Sequence, residues 1–319
     1  MNLYKGKKIN RVGKTPLKKE DVIFYALLLI IPITQILIFY FGVNFQSFLL
    51  AFQRRDTSGN LVFDASNNWN RFVADIKTPI FWIYIKNSFV VYLFISLTGT
   101  VLATLFSYYI YKKRTLCNFF KFVLFLPSLL PAILLVIMFK GFVGNGVPAY
   151  LHQWFGTDFS GFEGGGNIFL RENKTTFILI TIYSIWISFG SQVLVYTGAM
   201  DQISPEIIEA GKLDGTNSFT EFIHIILPSI FATISTFLIV GLASIFTNQN
   251  NLFNFYGGGG PREHYTMGYY LYLLLKDGEA NYPYASFIGL VCTMFVLPLT
   301  FGVRKLVNKV SKWLWRRLI

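Results

Sequence analysis

The chain has 319 residues, of which 53% are hydrophobic, 18% aromatic and only 14% charged, with a mean hydropathy of +0.49. Soluble domains carry about 25% charged residues, so a soluble enzyme or binding domain is excluded, and no stretch leaves room for a separate soluble domain. The net charge of +12 raises nucleic-acid binding as a reading, but the placement of that charge argues for a membrane topology instead.

In chain order, six runs lack Asp, Glu, Lys and Arg: 22–43, 87–111, 122–139, 175–200, 225–248 and 282–303. Each reaches the ~18–20 residues needed to cross a bilayer core. The first is too long for a cleavable signal peptide, and no small-residue cleavage site follows it. The fold class expected is an all-α polytopic membrane protein with six transmembrane helices. Residues 1–21 form a basic cytoplasmic N-terminus, 22–303 the transmembrane domain, and 304–319 a basic cytoplasmic C-terminus. With the N-terminus inside, the inner segments hold 18 of the 28 Lys and Arg against 7 acids, a net +11. The outer segments net +1. That is the positive-inside asymmetry. The clusters around Lys5 to Lys19 and Arg304 to Arg317 are then topology signals that also meet anionic lipid, and nucleic acid is not an expected partner.

The segments 52–86 and 144–174 lie outside and are rich in aromatics, Gly and Asp/Asn. They read either as a docking surface for an external protein or as solvated loops. The third span carries Pro127 and Pro131 around Ser128. Prolines there free carbonyls that are tolerated only against protein or a cavity. The fourth span carries Trp186, Ser188, Gly190, Ser191 and Gln192.

The segment 201–224 is polar and lies inside. Ser204-Pro205-Glu206 reads as a helix start, with Ser at the N-cap, Pro at the first position and an acid in the first turn. Asp214-Gly215 breaks that helix, because Gly takes the left-handed conformation of a sharp turn. Ser218 to Glu221 fits a capping box, opening a second helix that runs into the fifth span near Leu227-Pro228. Two short helices around a glycine turn, with apolar Ile207, Ile208, Leu213 and Phe219 among acids, suit a protein partner or packing on the chain's own inner ends.

The fifth span ends in Thr247-Asn248-Gln249-Asn250-Asn251, whose amides match hydroxyl-bearing ligands. Residues 267–275 read as a short helix in the outer interface. No acid or base falls within a span, so nothing points to a proton relay. Cys117 and Cys292 form no disulfide framework, and His152, His224 and His264 have no metal spacing. Asn173-Lys174-Thr175 matches a glycosylation acceptor. No catalytic constellation, metal site or cofactor site is read.

Several of these stretches resemble the carbohydrate permeases of ABC importers of the maltose type. Glu209-Ala210-Gly211, Asp214-Gly215, Phe222, Ile225 and Leu227-Pro228 resemble the EAA loop, whose pattern is EAA, two residues, DGA, five residues to Phe, then I-x-LP. Gly211 stands for the second Ala and Thr216 for the Ala after Asp-Gly. Phe125-Leu126-Pro127 with Phe139-Lys140-Gly141 is similar to the family's third core span. Gly257 to Pro261 is similar to its external TGGGP turn, Tyr284 to Gly289 to the entry of its last span, and Asn87-Ser88 to an Asn-Thr near the second. The chain looks like the compact six-span version.

The resemblance implies the architecture of a type I ABC importer permease with a cytoplasmic helix-turn-helix coupling loop over 201–228. It also implies that Glu209, Ala210, Gly211, Asp214, Gly215, Leu227 and Pro228 couple it to a cytoplasmic ABC ATPase dimer. Glu209 would pair with a basic residue there and Gly215 would allow close approach. Further implied partners are a second, different permease and an extracytoplasmic solute-binding protein, in a bacterial cell membrane. A sugar path would be lined from three regions by Ser128, Trp186, Ser188, Asn248 and Asn251. GGGGP lacks the Gly-Lys-Ser/Thr of a P-loop, so ATP hydrolysis is expected in a separate subunit. The alternatives are a permease for glycerol-phosphate or another small polar solute, or a secondary transporter.

Overall fold

The computed structural model describes residues 19–147, 150, 153, 154, 156 and 174–318. The basic residues before Lys19, His152, Asn173 and most of 144–174 lie outside these residues, as do the side chains of Arg316 and Arg317. The chain divides into two units, Met1–Leu50 and Ala51–Ile319.

The first unit is a rod, Lys19–Leu50, long and apolar enough to cross a membrane. It consists of α1 (Lys19–Gln35), a widened π-helical stretch (Ile36–Val43) and α2 (Asn44–Leu50). Ile31, Tyr40 and Phe41 are about 70% exposed, which water would penalise and lipid does not.

The second unit opens with a feature absent from the sequence reading. The outer segment 52–86 folds as a hairpin and a helix. β1 (Gln53–Arg55) pairs antiparallel with β2 (Leu61–Phe63), Gln53 opposite Phe63 and Arg55 opposite Leu61. Gly59 turns the chain at φ +81°. The Asp64 carboxylate accepts from the Asn67 amide at 3.2 Å and so caps α3 (Ala65–Ile76). Buried Asn68 donates to the carbonyls of Ala51 and Gln53 at 2.9 Å each, pinning the hairpin to the helix.

α4 (Pro79–Tyr111) follows, with Pro79 where a helix tolerates it. It starts eight residues before the uncharged run, because Lys86 interrupts that run without interrupting the helix. The third apolar run is not one straight rod. α5 (Cys117–Leu129) and α6 (Ala132–Gly141) meet at 107°. The cause is local: Pro131 bars the helical conformation at Leu130, which sits extended at φ −94°, ψ 147°. α7 (Lys174–Met200) is the best sheltered span, yet only 44% of its apolar window is buried, which leaves the rest to lipid or another subunit. Gly190 lets α7 touch α5 backbone to backbone: a Cβ there would stand 2.0 Å from the Leu124 carbonyl oxygen.

Two short helices, α8 (Pro205–Leu213) and α9 (Ser218–Glu221), lead through a widened turn (Phe222–Ile226) into α10 (Leu227–Ala243). α10 ends five residues before the uncharged run does. Beyond it come α11 (Leu252–Tyr256), α12 (Met267–Lys276) and the 37-residue α13 (Tyr282–Leu318). Among the described residues five helices are thus long and apolar enough to span a membrane, and the bent pair makes up to six. The molecule is an all-α polytopic membrane protein with one two-stranded ladder among its described residues. Its core has one cluster around Tyr183, Leu252, Met267 and Tyr269, on the side the charge asymmetry would place outside, and a second around Val193, Tyr196, Ile226 and Ile230.

Candidate functional site: an inner loop and an outer polar turn

The loop that begins at Ser204 folds as two helices around a glycine, by partly different caps from those expected. The Ser204 hydroxyl turns to the Glu206 carboxylate instead of a backbone amide. The cap of α9 is Asn217, whose Oδ1 accepts from the Thr220 amide at 2.8 Å, so the capping box from Ser218 to Glu221 does not form. Gly215 holds φ +78° with open space around it. Thr216 closes the turn, its amide and hydroxyl donating to the Gly211 carbonyl at 3.0 and 2.7 Å. The two departures from the EAA pattern are neighbours in space. A Cβ on Gly211 would meet Ile225 Cδ1 at 2.5 Å and Thr216 Oγ1 at 3.3 Å, so glycine makes room chiefly for Ile225, with the threonine close beside it.

The loop has two faces. Glu209, Ala210, Asp214 and Gly215 are exposed, and Leu213, Phe219 and Ile207 are 89, 73 and 50% exposed. Pro228 is buried and Leu227 half-buried where α10 starts. Glu221 is 3% exposed and meets Lys112, the residue that ends α4. Lys112 Nζ lies 2.6 Å from Oε1 and donates to Oε2 at 2.7 Å. Removing Lys112 would strand the buried Glu221 carboxylate, whereas the half-buried ammonium is partly open to its surroundings. The Tyr108 hydroxyl donates to the Ser218 carbonyl at 2.9 Å, and its ring centroid sits 4.9 Å from that of Phe222. Sequence reading treated Lys112 as a topology signal only; no local pattern marks a partner 109 residues away.

On the outer side, the segment after α10 is a turn, not a helix end. Asn250 and Asn251 have φ of +50° and +57°, a conformation Asn tolerates better than most residues. Asn248 Oδ1 accepts from the Asn250 amide at 2.8 Å. The turn lies on α7: Asn251 Nδ2 donates to Ser184 Oγ at 3.0 Å and Asn250 Nδ2 to Thr181 Oγ1 at 3.3 Å. Asn250 Oδ1 is buried with no hydrogen-bond partner among the described residues.

Of the five sugar-path candidates, Asn248 and Asn251 share this turn. Ser184 and Thr181, which sequence reading passed over, are the α7 hydroxyls that meet it. Ser188 donates back to Ile185 of its own helix at 3.2 Å, and Ser128 to Phe125 of its own at 2.7 Å. Trp186 is 41% exposed, edge-on to Tyr183 at 6.0 Å. An apolar cleft of about 200 Å³ between α10, α12 and α13 contains none of the five; Thr247, Leu271 and Thr300 are on its wall.

The motif residues of the outer connector act as latches. Asn87 Nδ2 donates to the carbonyls of Glu263 and Tyr265 at 2.8 and 3.0 Å, and Ser88 Oγ accepts from the Met267 amide at 2.9 Å. The Tyr269 hydroxyl donates to the carbonyls of Gly257 and Gly259 at 3.1 and 2.8 Å, closing the glycine turn. Burial pushes the Tyr269 phenol well above its ordinary value, so it remains a donor. The Asp75 carboxylate accepts from the hydroxyls of Tyr270 and Tyr284, tying α3 to α12 and α13. α12 is a helix, as read, but it packs inward: Met267, Gly268 and Tyr269 are buried, and a Cβ on Gly268 would stand 2.6 Å from the Thr247 carbonyl.

Comparison with known proteins agrees with this arrangement. The chain is 26% identical over 281 residues to the probable ABC transporter permease protein YurN of Bacillus subtilis (strain 168), across 86% of this chain and 92% of that one. It is 25% identical to the multiple sugar-binding transport system permease protein MsmF of Streptococcus mutans, across 84% and 89% of the two chains. A chain in the crystal structure of a bacterial alginate ABC transporter, in complex with an alginate pentasaccharide-bound periplasmic protein, has the same fold. Its TM-score is 0.72 at 19% identity, covering 92% of this chain and 96% of that one. Residues 95–316 match the family described as binding-protein-dependent transport system inner membrane component. That match takes in everything from the middle of α4 to near the end of α13, and the chain is a member of this family of membrane permease components.

Proposed function

We propose that the chain is one permease subunit of an ATP-driven importer for a sugar or oligosaccharide, and that the loop 201–228 couples it to a cytoplasmic ATPase. The observation that carries the coupling is the loop's two-faced build. Leu213 and Phe219 stand uncovered beside Glu209, while the same segment continues without a break from Ser218 into a spanning helix that ends at Ala243. An apolar surface of this kind, rimmed by acids, suits a groove on another protein. Glu209 pairs there with a basic residue, and Gly215 lets the backbones approach. Closure of an ATPase dimer then moves α10 and what is attached to it. ATP hydrolysis belongs to that separate subunit.

The carbohydrate reading rests on the uncharged hydroxyl-and-amide turn of Ser184, Asn248, Asn250 and Asn251, with Ser128, Trp186 and Ser188 as further path residues, and on the sugar-named relative. Both termini lie in the cytoplasm, by the charge asymmetry. A second, different permease covers the apolar faces left open, and a solute-binding protein docks outside, on the hairpin and α3.

The test is binding-protein-stimulated ATP hydrolysis by the reconstituted complex in nanodiscs, with pull-down of the ATPase. Glu209→Ala and Gly215→Asp are expected to lose stimulation or attachment while the chain melts as wild type. Full stimulation with the ATPase attached in both variants would remove the coupling reading.

A further inference from the structure

α4 is fastened at both ends to the stretch of chain that begins at the coupling loop. At its inner end Lys112 holds Glu221, and Tyr108 holds Ser218 and Phe222. Midway, the Tyr92 hydroxyl donates to the Leu238 carbonyl of α10 at 3.0 Å. At its outer end Asn87 and Ser88 hold residues 263, 265 and 267 of the outer connector. α9 accordingly points two ways within one turn: Phe219 is 73% exposed and Glu221 3%. Glu221 also falls among the five unspecified positions of the pattern by which the loop is recognised, so its role is not part of the resemblance.

We infer that the ion pair of Lys112 with Glu221 is a joint that makes α4 follow the coupling loop, so that a push on the loop travels along α4 to the outer connector. This rests on the coupling reading above. Apolar contacts can slide past one another with little change in energy. A half-buried pair at 2.6–2.7 Å resists this, because separating it strands the buried Glu221 carboxylate in a poor dielectric. The helix between the two ends is 33 residues of unbroken hydrogen bonding, a rigid element of the kind that carries displacement. Lys112 and Glu221 are positioning residues; neither faces the ATPase or the solute.

The experiment uses the full complex with its ATPase in nanodiscs, with spin labels at exposed Arg114 and His224, one on each side of the joint. Distances are read without nucleotide and with MgATP trapped by vanadate. In wild type the separation is expected to stay narrow and unshifted between the two states. Glu221→Gln is expected to shift or broaden it on trapping, with the ATPase still attached. The charge-reversed pair, Lys112→Glu with Glu221→Lys, is expected to restore the narrow distance, and its melting shows that the fold is intact. A wild-type separation that changes on trapping, or a Glu221→Gln separation that does not, would overturn the joint. Gly215→Asp run alongside separates the two ideas. An ATPase that stays attached and fully stimulated there, and in Glu209→Ala, removes the coupling reading, whereas the joint stands or falls on the label distances.

Discussion

The outer connector and the inner loop are both short helices punctuated by glycine, yet they finish their surfaces in opposite ways. In the outer connector, Asn87, Ser88, Asp75 and the Tyr269 hydroxyl satisfy the turns from within the chain, and the helix that follows buries half of its residues. Inside, the turn closes on itself through Thr216, and the apolar side chains beyond it face outward. The difference separates folding from assembly. A region that spends its polar groups on its own chain is complete when folded. A region that leaves Leu213 uncovered has apolar surface to spare, which is what the proposed docking on an ATPase would use.

The contrast can be broken most severely at Gly268. A Cβ there meets backbone, the Thr247 carbonyl at 2.6 Å and the Asn248 oxygen at 2.7 Å, which cannot swing aside. Gly268→Ala is expected to cost about 1–3 kcal/mol or more of overpacking and to lower the melting temperature of the purified chain. A melt equal to wild type would mean that the outer region is not closed as described. Next is Asn87→Leu, which leaves the carbonyls of Glu263 and Tyr265 unpaired at about 1–3 kcal/mol each if they stay dry. Amide exchange over 263–267 should quicken well beyond that over 205–213. The smallest effect on stability is expected from Leu213→Ser with Phe219→Ser, within about 0.5 kcal/mol for exposed sites. ATPase pull-down should nevertheless weaken. A large loss of stability with attachment unchanged would reverse the comparison.

The legible parts of the molecule were those governed by local rules. Uncharged length located the apolar helices but not their ends: α4 starts eight residues before its run and α13 continues fifteen beyond its own, while Asp214-Gly215 and Pro205 placed the turn and start of α8. The 107° bend was half visible: Pro131 announced a break, but its angle depends on what α6 packs against. Caps competed locally, and Asn217 won over Ser218 because its longer side chain reaches the Thr220 amide. Glu221, read as a capping residue, is spent on Lys112 instead. The hairpin over 53–63 was missed because three-residue strands carry too little alternation to register. Around the candidate sugar path, sequence reading put Asn248 and Asn251 at the end of a span and named Ser188 on α7, whereas the amides sit in a turn that reaches α7 elsewhere. Ser184, one helical turn earlier, is the residue in reach.

α13 stays helical from Tyr282, beside the Asp75 latch, to Leu318, although Pro298 inside it forfeits one backbone hydrogen bond. At 1.5 Å per residue it is about 55 Å long, nearly twice a ~30 Å hydrocarbon core. It is therefore a lever with unequal exposure: a tilt of about 5° at the outer end sweeps the far end through about 5 Å, close to one helical pitch. Arg304, Lys305, Lys309 and Lys312 ride on that far end, exposed. A rearrangement at the outer latch too small to notice in its own hydrogen bonds would thus be legible as a lateral displacement of charge at the opposite end of the molecule.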